Sequence, residues 1–155
     1  MKKIRIFVMM LAMLTVLAAN AENQVFKEMA SKIKGVTYVF IPRAMLSNSE
    51  QLEITGVNTD IPIKKVLSIE IVYTEDKNSM KTARKSCGVI LEKLKTQLLM
   101  EREENGEIVR IYTQGLTRND KIMNAIIEVC TPSDYSLIYV AGRFDREELI
   151  HLNSF

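Results

Sequence analysis

Histidine, cysteine and glycine are scarce in this sequence of 155 residues, and each shortage argues against a class of function. The only histidine is His151, which any Ser–His–Asp or Cys–His catalytic arrangement would have to use. We interpret it as a surface residue close to the C-terminus. One histidine and two separated cysteines, Cys87 and Cys130, cannot readily supply the three or four clustered ligands of a zinc site. The sequence therefore predicts no metal ion and no catalytic triad.

The six glycines do not form a phosphate-binding loop, because Gly106 and Gly115 are isolated turn residues. Acidic residues cluster around a predicted hairpin tip, where they indicate a solvated surface more often than a paired general acid and base. They are Glu101, Glu103, Glu104 and Glu107. The sequence thus predicts no catalytic residue and no cofactor, and it favours a protein that is not an enzyme. A hydrolase whose site is assembled from scattered residues stays open.

No hydrophobic run is long enough to span a membrane comfortably. The longest, residues 6–18, falls short of the roughly 20 residues that a helix needs to cross a bilayer core. Three positive charges in residues 2–5 precede it, and the small residues Ala19 and Ala21 follow it. This order is typical of a secretory signal peptide over residues 1–21, cleaved after Ala21. A buried N-terminal helix or an uncleaved anchor are the alternatives, and no cysteine follows Ala21 for lipid attachment.

Removal of residues 1–21 changes the charge of the protein. Three basic residues and no acidic one are lost, which leaves 18 basic against 19 acidic residues and a net charge of −1. A nucleic-acid-binding protein needs a basic excess or stripe, and this domain has neither. The expected location is the periplasm or the exterior after Sec-type export, with no stable membrane span after cleavage.

Residues 22–155 have the length of one domain, and their apolar periodicity alternates between helix and strand. Asn105-Gly106 is a strong hairpin signal, because both turn positions need a positive φ. The predicted elements are helices over 26–33, 78–95 and 145–152, strands over 36–41, 66–74, 98–104, 107–114, 122–131 and 137–142, and a long loop over 47–62. Short turns make the last four strands antiparallel. The predicted fold class is α+β, an antiparallel sheet with a C-terminal four-strand meander and helices packed mainly on one face.

The two cysteines are candidates for a disulfide, because export favours oxidation. Cys87 lies on the apolar stripe of the helix over 78–95, for which Asn78 is the expected N-cap. On the strand over 122–131, Cys130 alternates away from the more apolar face, which carries Ala125 and Ile127. If the helix packs on that more apolar face, the two thiols lie on opposite sides of the sheet. A bulge or strand end near Thr131-Pro132 would reverse this placement; without one, the sequence favours free thiols over a Cys87–Cys130 disulfide.

The same alternation predicts an apolar set on the face of the sheet opposite the helices. Its members are Ile122, Ile126, Leu137 and Tyr139. Such a set would form an exposed patch of the kind that marks an interaction surface. Alternatively, the loop over 47–62 covers this face, or the sheet packs on both sides.

Three blocks of the sequence resemble the exported bacterial family catalogued as domain of unknown function 4252. They are GVTYVFIPRAML at 35–46, the hairpin block with Leu99-Met100, Asn105-Gly106-Glu107, Val109 and Ile111-Tyr112, and GRFD at 142–145 followed by Glu148-Leu149-Ile150. The resemblance covers roughly residues 25–152. It implies export and a fold, associates the chain with accessory proteins of the Gram-negative envelope, and transfers no catalytic residue.

Three functions remain at this point. The first is a non-catalytic envelope protein that binds another protein or itself, as a homo-oligomer. The second is a module that binds a small molecule or lipid, which predicts an apolar cavity near Met45, Leu46, Leu52 and Ile54. The third is the hydrolase with a scattered site.

Overall fold

The computed structural model describes residues 24–46, 62–116 and 121–150. The signal-peptide prediction, most of the predicted long loop and His151 lie outside these residues. Numbered in chain order, the helices are α1 (Lys27–Ser31), α2 (Arg43–Leu46), α3 (Lys77–Lys93) and α4 (Arg146–Ile150), with a 3-10 turn at Ile63–Lys65. The strands are β1 (Thr37–Pro42), β2 (Val66–Thr74), β3 (Gln97–Glu104), β4 (Glu107–Leu116), β5 (Lys121–Cys130) and β6 (Tyr135–Asp145).

These strands form one sheet in the order β1-β2-β6-β5-β4-β3, and every neighbouring pair is antiparallel. Strands β3 to β6 are consecutive both in the chain and in the sheet, so they form a four-strand meander. The predicted α+β class is confirmed, including the meander.

Local sequence signals explain where several elements begin and end. Asn105 and Gly106 both have a positive φ, 51° and 81°, as a two-residue hairpin turn between β3 and β4 requires. Helix α3 is capped by Asp76, whose carboxylate accepts a hydrogen bond from the backbone N–H of Asn78 at 3.0 Å. The expected cap was Asn78, and the true cap lies two residues earlier.

Both faces of the sheet are apolar, and different helices cover them. We call the face under α1 and α3 the helix face; its buried cluster includes Phe26, Val72, Cys87 and Leu137. The opposite face packs against α2, the 3-10 turn and α4. Most of the helical residues belong to α1 and α3, so the helices do lie mainly on one face. The sheet is nevertheless packed on both sides.

The predicted interaction face is wrong, because all four of its residues are buried. Ile126, Leu137 and Tyr139 lie on the helix face, in the cluster beneath α3. The prediction placed the helices over the side of β5 that has more aliphatic residues, whereas α3 covers the side that has fewer. Ile122 belongs to the cluster on the opposite face, since a β-bulge between Met123 and Ala125 interrupts the alternation.

Candidate functional site: two buried carboxylates and the β3 edge

Strand alternation places two glutamates within the helix face, where their side chains are removed from water. Glu128 of β5 is 4% exposed and Glu70 of β2 is 1% exposed. A buried carboxylate is stable only when its oxygens are hydrogen-bonded or paired with a cation. Their partners therefore decide whether either group is available for chemistry.

Glu128 is held by three side chains from neighbouring strands. Its Oε2 accepts hydrogen bonds from the Tyr112 hydroxyl at 3.2 Å and from Arg110 Nη1 at 3.3 Å. Its Oε1 accepts a hydrogen bond from the Tyr135 hydroxyl at 3.1 Å. Since both oxygens are occupied from within the protein, we interpret Glu128 as a structural residue.

Arg110 links Glu128 to the edge of the sheet. Its Nε donates to Glu101 Oε2 at 2.5 Å, while its Nη1 reaches Glu128. The hydrogen bond to Glu101 is the main cause that raises the pKa of Arg110, so its charge is permanent. Burial, together with the charge of Glu128, raises the pKa of Tyr112 to about 12. Neither group is suited to exchanging protons at neutral pH.

Glu70 holds the beginning of the described chain. Its Oε1 accepts the backbone N–H of Val25 and its Oε2 the backbone N–H of Phe26, both at 2.8 Å. The Tyr38 hydroxyl donates to Oε2 at 3.0 Å. Burial raises the pKa of Glu70, and these three hydrogen bonds act in the opposite direction. The fully buried ring of Phe26 lies 5.9 Å from that of Tyr139, measured between centroids.

The two cysteines are free thiols, both buried, and both lie on the helix face. Their predicted separation on opposite sides of the sheet is wrong, because α3 packs on the face that carries Cys130. Tyr135 lies directly across from Cys130 and belongs to the same buried cluster as both thiols. Burial raises the pKa of Cys87 to about 12, which makes it a poor nucleophile.

On the helix face, residues that are paired directly across neighbouring strands form rows perpendicular to the strands. Three of these rows end on β3. They end at Leu98, Glu101 and Glu103, whose partners on β4 are Tyr112, Arg110 and Ile108. Leu98 is 53% exposed, and Leu99 and Met100 beside it are half-buried. Since β3 is the last strand of the sheet, its outer backbone groups have no neighbouring strand among the described residues. An exposed apolar edge is a template for another strand.

Glu103 and Glu104 are exposed, and within the described ranges neither has an ion-pair partner. The sequence interpretation of these glutamates as solvated agrees with their exposure. It missed the buried glutamates Glu70 and Glu128. A recognisable signal exists: each is a single acidic residue in a strand of apolar residues, with tyrosines in the adjacent strands.

The described residues of the predicted apolar cavity do not share one environment. Met45 is exposed and Leu46 is buried, while Leu52 and Ile54 lie outside the described residues. A small cavity of about 40 Å³ lies elsewhere, lined by Leu99, Met100, Ile111, Arg146 and Leu149. No three metal-ligating side chains converge in the described part of the chain. No helix in that part is long and apolar enough to cross a membrane.

Comparison with known proteins places the chain by family alone. The model of a family described as "Domain of unknown function (DUF4252)" matches residues 26–152. No curated protein and no solved structure matches.

Proposed function

The chain belongs to the DUF4252 family, and on that premise we propose that it is an exported, non-catalytic domain that acts by binding another protein. The observation that carries the proposal is the edge of β3. There an apolar segment, Leu98 to Met100, stands exposed or half-exposed beside strand backbone that has no neighbour among the described residues. Such an edge invites pairing with another chain, and the four charged residues that follow, 101–104, restrict pairing to a chain of complementary charge.

The buried polar groups support a non-catalytic role. The carboxylate oxygens of Glu70 and Glu128 accept hydrogen bonds from backbone N–H groups and tyrosine hydroxyls. The two thiols are buried, and burial raises the pKa of both. These groups stabilise the domain, and their side chains are buried.

A ligand-binding role has less support. Small-molecule sites usually enclose about 300–1,000 Å³. The cavity beside Leu149 holds about 40 Å³, which is close to the volume of one or two water molecules.

Export is supported by the signal-peptide pattern of residues 1–21. An exported accessory domain needs only a folded surface and a partner in the same compartment. We therefore propose that it acts in the periplasm or outside the cell.

The test is photo-crosslinking of the full chain in its native host. A photoreactive amino acid replaces, in separate strains, Glu103 on β3, Met45 on α2 and Val89 on α3, all exposed. Lys85, exposed on α3, serves as a polar control position. We expect a protein adduct of defined mass, and an N-terminus at residue 22 in the envelope fraction. The absence of an adduct at every position, or a cytoplasmic protein that retains residues 1–21, would overturn the proposal.

A further inference from the structure

We infer that the β3 edge binds an extended segment of a partner protein as an added strand, and that this segment carries basic residues at alternate positions followed by apolar residues. The inference rests on the proposed function and specifies its surface and the chemistry of its partner. Three observations support it: the direction of the edge backbone groups, the charge sequence across the sheet, and the protection of the other edge.

The hairpin register determines which backbone groups of β3 point outward. In a hairpin closed by a two-residue turn, the residues that flank the turn, Glu104 and Glu107, form a hydrogen-bonded pair. Pairs then alternate, so Arg102 bonds to Val109, while Glu101 and Glu103 direct their N–H and C=O groups away from β4. A partner strand would pair with these two residues.

Charges alternate toward the edge in the central row of the helix face. This row consists of Tyr38, Val72, Leu137, Glu128, Arg110 and Glu101, each directly opposite the next. Its last three members are negative, positive and negative, and Arg110 pairs with both of its neighbours. Opposite charges directly across from each other stabilise a sheet. The next strand would continue the alternation with a basic residue opposite Glu101.

The neighbouring rows specify the rest of the segment. Glu103 ends one row, is exposed, and has no ion-pair partner within the described residues. Leu98 ends the other row and is exposed above Tyr112. A complementary strand therefore has a basic residue opposite Glu103 and a second basic residue, two positions further along, opposite Glu101. Beyond these it has an apolar residue that packs against Leu98.

A second copy of β3 is a poor occupant of this edge. On the helix face, β3 offers Leu98, Glu101 and Glu103, with no basic residue, because Arg102 points to the other side of the sheet. Antiparallel or parallel self-pairing would bring acidic residues close to acidic residues, and the second copy of β3 would add no basic residue on this face. Like charges across a strand pair are destabilising.

The other edge of the sheet is protected. Strand β1 is six residues long and ends at Pro42, which has no N–H to donate. Its central residue Val39 is buried, and both α1 and α2 contact the strand. Strand β3 has eight residues and no proline, and a register shift between Leu98 and Met100 is the only irregularity of its pairing within the described residues.

The test uses three blocked synthetic peptides of eight residues with the same valine and isoleucine content. One has two lysines at alternate positions before its apolar residues, one has glutamates in their place, and one has the two lysines adjacent. Binding is followed by NMR titration and amide hydrogen exchange on the domain. We expect the alternating lysine peptide to bind best, and to slow exchange of the Glu101 and Glu103 amides but not of Arg102, which already bonds to Val109.

Two variants separate strand addition from general attraction. Glu103→Lys changes an exposed residue without an ion-pair partner among the described residues, and Glu92→Lys makes the same charge change on the outer side of α3. We expect Glu103→Lys to weaken binding of the alternating lysine peptide about fivefold and to strengthen binding of the glutamate peptide. Glu92→Lys should change neither affinity by more than about twofold. Unchanged denaturation midpoints verify that both variants fold.

Several outcomes would overturn this inference. They are equal binding of all three peptides, binding without protection of the Glu101 and Glu103 amides, equal effects of the two variants, or a concentration-dependent dimer that crosslinks through position 103. Cellular adducts at positions 45 or 89 without one at 103 would also overturn it, while the protein-binding proposal itself would stand.

Discussion

The carboxylate of Glu70 and the backbone of Phe26 meet inside the domain, with Oε2 2.8 Å from the Phe26 nitrogen. The neighbouring N–H of Val25 binds the other oxygen at the same distance. One buried side chain thus fixes the point where the N-terminal segment enters the helix face, and the ring of Phe26 fills the space beside Tyr139. This contact gives Glu70 a defined structural role that can be measured.

Glu70→Gln is expected to release the N-terminal segment. A carboxamide has one oxygen, so one of the two backbone N–H groups would face an NH₂ group in place of an acceptor. We expect the free energy of unfolding to fall by about 1–3 kcal/mol, with faster amide exchange at Val25 and Phe26. Tyr38→Phe is the matched control: it removes only the third hydrogen bond, costs about 1 kcal/mol, and leaves both amides protected. Equal exchange in the two variants would contradict this role.

The same residue predicts a pH dependence of stability. Burial raises the pKa of Glu70 above its ordinary value of 4.5, so the folded state binds its proton more tightly than the unfolded state. Its contribution to the free energy of unfolding therefore decreases as the pH rises from 4.5 through the folded pKa. Denaturant titrations between pH 4 and 7 should show a wild-type advantage over Glu70→Gln that shrinks with increasing pH. An advantage that grows over this range would show that the pKa is lowered instead.

Features set by neighbouring residues were predictable from the sequence. The β3–β4 hairpin follows from Asn105-Gly106, and β2 was predicted with its observed bounds because its residues are rich in β-branched side chains. The choice of face was not predictable in this way. Alternation separates two faces but does not say which one α3 covers, and here both are apolar enough to be buried.

The errors at the candidate site have the same origin. Asn124 adopts a positive φ of 53° within the bulge of β5, and no turn-favouring neighbour in the sequence marks it. The residues before Asn124 therefore point to the opposite face from the one that an unbroken alternation predicts. For this reason the prediction put Ile122 on the wrong face. The charge row that ends at Glu101 depends on the pairing of three strands, so it becomes visible only once the register is known.

Removing the cation of the charge row should destabilise the domain strongly. Arg110→Met leaves Glu128 buried without its positive partner, which typically costs about 3–5 kcal/mol. The double variant Arg110→Met with Glu128→Gln should regain part of this loss, because the buried group is then neutral. Arg102→Met removes a partly exposed pair with Glu107, 3.7 Å apart, and should change stability by less than about 1 kcal/mol. Urea denaturation of wild type, the single variants Arg110→Met, Glu128→Gln and Arg102→Met, and the double variant measures these differences. Additive effects of Arg110→Met and Glu128→Gln would contradict the coupling.

Two glycines should respond to alanine with opposite signs. At Gly142 of β6, a Cβ would lie 2.4 Å from the Lys65 carbonyl oxygen and 2.6 Å from the ring of Phe144, so Gly142→Ala should cost about 3 kcal/mol. At Gly88 of α3, a Cβ would meet no atom within 4 Å, so Gly88→Ala should stabilise the helix by about 0.5–1 kcal/mol. Thermal denaturation of each variant tests this. Destabilisation by Gly88→Ala would show that this side of α3 is closely covered.

The thiols of Cys87 and Cys130 should be unreactive until the domain unfolds. Burial raises the pKa of Cys87 from 9.0 to about 12, which lowers its thiolate fraction at pH 8 by roughly 10³-fold. Iodoacetamide at pH 8 should therefore modify neither residue on the timescale that modifies both in denaturant. Burial also raises the pKa of Cys130, and both thiols are free, so the intact mass should be the same with and without reductant.

Tyr135→Phe provides the matched variant for this experiment. It removes the hydroxyl that donates to Glu128, while keeping the ring that fills the cluster shared with Cys87. If thiol protection comes from burial, modification of Cys87 in this variant should accelerate only as much as the loss of global stability allows. Acceleration well beyond that, at an unchanged denaturation midpoint, would contradict burial as the source of the protection. A mass lower by two hydrogens before reduction would instead show that the helix face brings the two sulfurs within bonding distance.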